Sequence, residues 1–123
     1  MGLALKRSGG FAGRIVGVSR SETIETALEM GVIDEGWGYD EMAQALAGAD
    51  LVFICTPIQR IIEQIEQVAE LVPDGAIVTD VGSTKRRIVA RAAECFRAGT
   101  YFVGGHPMAG SEKAGVTAAD PFL

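Results

Sequence analysis

The segment Leu51–Val52–Phe53–Ile54–Cys55–Thr56 constrains this chain most. Its first five residues are apolar without alternation. A strand with one wet face alternates apolar and polar residues, whereas a continuous apolar run marks a strand covered on both faces, as in a parallel sheet. Parallel strands cannot be joined by hairpins and need a crossover, usually a helix. The sequence supplies one. Pro57 suits a first helical turn, and Ile58, Ile61, Ile62, Ile65, Val68, Ala69 and Val72 recur at i, i+3, i+4, i+7 spacing. Pro73–Asp74–Gly75 is a turn, and Ala76–Thr79 reads as the next buried strand, ending in Asp80–Val81–Gly82–Ser83.

The same alternation runs through the rest of the chain. Leu3–Arg7 reads as a short helix ending at Ser8–Gly9–Gly10, and Arg14–Val18 as a strand. Ser21–Met30 reads as a helix capped by Ser21, with Glu22 and Glu25 near its positive end. Asp34–Tyr39 has room for one very short strand, and Asp40–Leu46 is helical with Met42, Ala43 and Leu46 on one side. Thr84–Phe96 is a helix capped by Ser83 or Thr84, with Ile88, Val89, Ala92, Ala93 and Phe96 inward and Lys85, Arg86, Arg87 and Arg91 outward. Tyr101–Val103 is the last strand, and a glycine-rich segment with room for a helix follows. Strands separated by helices imply an α/β, doubly wound, mostly parallel sheet. No repeat, low-complexity tract or internal domain boundary interrupts the 123 residues.

Composition excludes several classes. A net charge of −5 argues against a general nucleic-acid binder, which needs a basic face. One His and two distant Cys give no metal-ligand spacing, so no metal is expected. Cys55 and Cys95 make no disulfide framework, and Cys55 reads as a buried free thiol. No apolar run reaches membrane-spanning length, and the order of charge at the N-terminus does not fit a signal peptide. A reducing cytoplasm is therefore the expected location. The 16 glycines, roughly twice ordinary usage, fit tight turns between elements.

Ligands of open α/β sheets bind beyond the carboxyl ends of the strands. Those ends carry Ser19–Arg20–Ser21, Thr56–Pro57, Asp80–Val81–Gly82–Ser83 and Gly104–Gly105–His106–Pro107. All are small or polar and would line one crevice. In a dinucleotide fold the second strand's tip meets the adenosine ribose, where a carboxylate selects a free 2′-hydroxyl. Here Ser19, Ser21 and Thr23 offer hydroxyls and Arg20 a cationic fork suited to phosphate, which favours NADP over NAD. A helix cap followed by a solvated arginine is the plainer alternative. His106, the only histidine, follows a strand between Gly105 and Pro107, where a neutral imidazole suits a base for a substrate hydroxyl. Ser83 either caps its helix or faces the crevice beside His106. Lys85 and Arg86 stand where the helix dipole disfavours cations, which points to a nearby anion or to plain solvation.

Three segments together resemble the prephenate/arogenate dehydrogenase family of tyrosine biosynthesis. They are Gly48–Ala49–Asp50–Leu51–Val52–Phe53–Ile54–Cys55–Thr56–Pro57, Thr79–Asp80–Val81–Gly82–Ser83–Thr84–Lys85 and Gly104–Gly105–His106–Pro107–Met108–Ala109–Gly110–Ser111–Glu112. The first is common among Rossmann dehydrogenases; the last is the most specific. The resemblance implies oxidative decarboxylation of prephenate or arogenate with NAD or NADP. His106 would hydrogen-bond and deprotonate the ring hydroxyl, Ser83 would help place it, and Glu112 would border the substrate entrance. Thr56, Pro57, Asp80 and Gly82 would lie along the cofactor, and Ser19, Arg20 and Thr23 would hold a 2′-phosphate.

The sequence departs from that family's pattern at both ends. The first strand with its Gly-x-Gly-x-x-Gly turn and the C-terminal helical dimerisation domain are both missing. The expected fold is thus a Rossmann-like sheet lacking its first strand and glycine-rich turn, a partial domain inactive by itself, whose unpaired edges invite closure of the gap or self-association. Family membership implies a homodimer in the full-length enzyme, and no nucleic-acid or membrane partner. A degenerate Rossmann module that binds a partner without catalysis, or a related NAD(P)-dependent reductase, are the competing readings.

Overall fold

The computed structural model describes all residues except Ser111, Glu112, Ala114 and Leu123. The chain divides into two compact units, Met1–Ala45 with Ala109–Leu123, and Leu46–Met108. Among the described residues five strands form two sheets, and every pairing is parallel.

In the first unit, β1 (Val16–Val18) pairs with β2 (Glu35–Trp37), and α2 (Ser21–Glu29) is the crossover between them. The short strand allowed for within Asp34–Tyr39 is therefore present as β2. Gly36 lets α2 approach it closely: a Cβ there would stand 2.2 Å from Ile24 Cγ2. Asp34 braces the start of the ladder. It accepts hydrogen bonds from the ammonium of Lys6, in the last turn of α1 (Gly2–Arg7), and from the Ile15 N–H. These two bonds hold its carboxyl below the usual carboxylate range. Glu35 joins Arg14 Nη1 and Trp37 Nε1, each at 2.8 Å. A 3₁₀ turn, Val116–Ala118, also lies in this unit. The helix α3 (Met42–Leu46) leads out of it, burying Met42, Ala45 and Leu46 while Ala43 faces solvent.

The second unit is a three-stranded sheet in the order β3 (Leu51–Ile54), β4 (Ile77–Asp80), β5 (Tyr101–Val103). The helices α4 (Ile58–Leu71) and α5 (Arg86–Cys95) provide the returns. Its register places Val52, Val78 and Phe102 side by side on one face, and Leu51, Ile77 and Tyr101 on the other. The first face meets the helices. Ile54, Val78, Ile61, Ile65, Val68, Val72, Ile88 and Ala92 are buried there as the core.

The opposite face departs from expectation. Leu51, Phe53, Ile77, Tyr101 and Val103 are all exposed. The unbroken apolar run thus has cover on one side only among the described residues. Cys55, expected to be buried, is exposed because it continues the alternation of Leu51 and Phe53. The inner face of α5 is narrower than its sequence suggests. Ile88 and Ala92 are buried, while Val89, Ala93, Phe96 and Phe102 line an open apolar hollow.

Helix ends also differ. Arg20, not Ser21, precedes α2, and no side chain caps it. Lys85, not Ser83 or Thr84, precedes α5. At the amino edge of the sheet, Arg97 closes the end of α4. Its guanidinium donates to the carbonyls of Ala69 at 3.0 Å and Val72 at 3.3 Å and to Asp74 Oδ1 at 2.8 Å, satisfying carbonyls that a helix end leaves open. None of the described helices is long and apolar enough to cross a membrane.

The adjacent pair Ile88 and Val89 tests this packing. Ile88 has no exposed surface and Val89 is 45% exposed. Ile88→Ala should cost about 3 kcal/mol in urea unfolding, and Val89→Ala about 0.5 kcal/mol.

Candidate functional site

The carboxyl ends of β3, β4 and β5 meet at one edge of the three-stranded sheet. Thr56 and Pro57 follow β3, and Pro57 is the residue before α4. The Thr56 hydroxyl donates to Gln64 Oε1 at 2.7 Å. Gln64 is buried, 9% exposed, on the same stretch of α4 as Ile61 and Ile65. It fixes the rotamer of Thr56 from beneath and leaves the hydroxyl's lone pairs for a ligand. Sequence reading passed over Gln64. The available signal was a polar residue at i+3 from Ile61, inside the apolar series.

Asp80 ends β4 on the helix-covered face, in register with Ile54. Its side chain has no exposed surface. Oδ2 accepts the Gly82 N–H at 2.8 Å and a hydrogen bond from the Lys85 ammonium. Oδ1 accepts the Gly105 N–H at 3.2 Å. The anion that the first-turn cations of α5 pointed to is therefore within the protein for Lys85. Asp80 was expected among the cofactor contacts, but both its oxygens are engaged with protein donors.

Gly82 is buried, and a Cβ there would stand 2.7 Å from Ile88 Cδ1, so the turn lies flat over the core. Ser83 emerges next and is exposed. The loop after β5 is equally close-fitting. A Cβ on Gly105 would lie 2.5 Å from the Asp80 carbonyl oxygen and 2.8 Å from Thr79 Oγ1. His106 follows, exposed, and neither it nor Ser83 has a side-chain hydrogen-bond partner among the described residues. Thr56, Pro57, Asp80, Gly82, Ser83 and His106 are thus brought to one edge, where the Ser83 hydroxyl and the His106 imidazole have no hydrogen-bond partner among the described residues.

In the first unit, Ser19, Arg20 and Thr23 stand where β1 passes into α2. The Ser19 N–H donates to the Trp37 carbonyl, and the Thr23 N–H to the Arg20 carbonyl. Arg20 is exposed and has no ion-pair partner among the described residues. The expected substrate residue Glu112 lies outside the described residues. Among the described residues no group of three or more His, Cys, Asp or Glu side chains could hold a metal ion.

Comparison with known proteins is consistent throughout. The family model for the prephenate dehydrogenase nucleotide-binding domain matches residues 1–123. Prephenate dehydrogenase of Bacillus subtilis (strain 168) is 40% identical over 112 residues, covering 89% of this chain and 30% of that protein. A crystal structure of prephenate dehydrogenase from A. aeolicus in complex with hydroxyphenyl propionate and NAD+ is similar with TM-score 0.81 and 32% identity, covering 94% of this chain and 40% of that one. The crystal structure of Synechocystis arogenate dehydrogenase gives TM-score 0.83 at 33% identity, covering 97% and 40%. The fold is thus the Rossmann-like one of these dehydrogenases, and the chain spans less than half the length of each.

Replacing Gln64 tests the support beneath Thr56. Gln64→Leu should lower stability by about 1 kcal/mol in urea unfolding and release the Thr56 hydroxyl, read as averaging of its side-chain NMR couplings.

Proposed function

This chain belongs to the prephenate dehydrogenase nucleotide-binding domain family, and on that premise we propose that it is the cofactor-binding part of an enzyme that oxidatively decarboxylates prephenate or arogenate. The observation that carries this reading is the sheet edge at which Ser83 and His106 stand exposed on backbone anchored to the same carboxylate. The A. aeolicus relative has been crystallised with hydroxyphenyl propionate and NAD+, and its phenolic ring corresponds to the aromatic product of the reaction proposed for this chain.

When bound, NAD(P) supplies the hydride acceptor. His106 hydrogen-bonds the hydroxyl of the substrate ring carbon that gives up hydride. It takes that proton as hydride leaves, so charge does not build up at the carbon–oxygen unit. Loss of carbon dioxide then leaves an aromatic ring, and the proton returns to the phenolic oxygen. Ser83, the residue after the buried Gly82, orients the hydroxyl. Glu112 belongs to the substrate's side of the proposal. Thr56, Pro57 and the flat Gly82 turn leave room for a dinucleotide along the edge.

The residues present suit NADP. Arg20 is exposed without an ion-pair partner among the described residues, and α2 starts with no side-chain cap. A guanidinium beside uncapped peptide N–H groups favours a phosphate dianion, and Ser19 and Thr23 add hydroxyls. No carboxylate stands at the tip of β1 to select a free 2′-hydroxyl.

Two measurements test the proposal. Arg20→Ala should weaken NADP binding about tenfold or more in calorimetric titration and change NAD binding less than about twofold; indifference to the 2′-phosphate would overturn the preference. In the enzyme that carries this domain, His106→Asn should lower kcat by roughly 10³ with dinucleotide affinity kept. Parallel loss of both would make His106 a structural residue.

A further inference from the structure

Among the described residues, Asp80 is the one charged residue that is buried. Burying a carboxylate is costly even when it is paired, and well-packed apolar residues often serve stability as well or better. A local turn accounts for only part of its bonding. Oδ2 serves its own strand end, binding the N–H of Gly82 and the ammonium of Lys85. Oδ1 instead reaches across 25 residues of chain to the N–H of Gly105. Gly105 is the residue immediately before His106.

Resting on the dehydrogenase reading above, we propose that Asp80 is a positioning residue for His106: its carboxylate fixes the Gly105 N–H, and with it the backbone from which the imidazole projects. The surroundings leave the loop no other seat. The Gly105 backbone lies so close to β4 that even a Cβ would collide with the Asp80 carbonyl oxygen and Thr79 Oγ1. Gly104 is confined as well, since a Cβ there would stand 3.0 Å from Val89 Cγ2 and 3.3 Å from Lys85 Cδ. Lys85 therefore both balances Asp80 and walls the loop. One carboxylate sets the turn that presents Ser83 and the loop that presents His106, so the two are held in a common frame.

The wild-type chain tests the anchor directly. NMR should detect a through-hydrogen-bond coupling between the Gly105 nitrogen and the Asp80 carboxylate carbon; a missing coupling, with Gly105 exchanging as fast as an exposed loop amide, overturns the proposal. Asp80→Asn tests the consequence. The remaining oxygen should stay with Gly82 and the Lys85 cation, turning NH₂ hydrogens toward Gly105. Gly105 amide exchange should then rise about tenfold, while Ile61 and Ile65 keep their protection. In the enzyme that carries this domain, kcat should fall about tenfold or more, with the KM for the dinucleotide within about twofold. Loss of protection throughout the sheet, or failure of the variant to fold together with an absent wild-type coupling, would make Asp80 a stability residue only. Failure of the dehydrogenase reading would show as wild-type enzyme without turnover. Failure of this inference would show as turnover that Asp80→Asn leaves unchanged.

Discussion

Parallel pairing of β3, β4 and β5 is the constraint from which the second unit follows. A parallel ladder cannot be closed by a tight turn, so each strand returns through a helix and begins again at the same edge. Three carboxyl ends are thereby collected at one edge and three amino ends at the other. The register then decides which side chains meet. Pairing Ile54 with Asp80 places a charged group on the face where Ile61 and Ile88 are packed. The charge is tolerable there only because peptide N–H groups and an ammonium converge on it.

Periodicity made most of the elements legible. The series from Ile61 to Val72 placed α4, and the β-rich runs at Leu51 and Ala76 placed β3 and β4, because both signals are local and strong. Helix starts were less legible. Ser21 and Ser83 are good capping types, yet Arg20 and Lys85 take the positions before α2 and α5. Capping preference is worth about 1 kcal/mol, which the close fit of Gly82 over Ile88 and Ile61 outweighs by fixing where the turn ends.

Cover was the least legible property. An apolar residue reports that it can be buried, while the element that would bury it is a matter of three-dimensional context. Leu51, Phe53 and Val103 carry the pattern of a two-sided strand and remain exposed. The site behaved the other way. The residues at the strand ends were readable from topology alone, but their supports were not. Gln64 beneath Thr56 and the engagement of both Asp80 oxygens depend on side-chain directions that spacing does not specify.

Arg97 holds the opposite edge of the same sheet, joining the end of α4 to the Asp74 turn. The molecule therefore separates two kinds of genetic lesion. A change at Arg97 or Asp74 alters how much folded protein a cell maintains, since the unfolded fraction is what quality control removes. On the dehydrogenase proposal, a change at the exposed His106 alters what each folded copy can do and leaves the number of copies alone. Abundance and per-molecule competence can thus drift independently in this chain, each selected at its own end of three short strands.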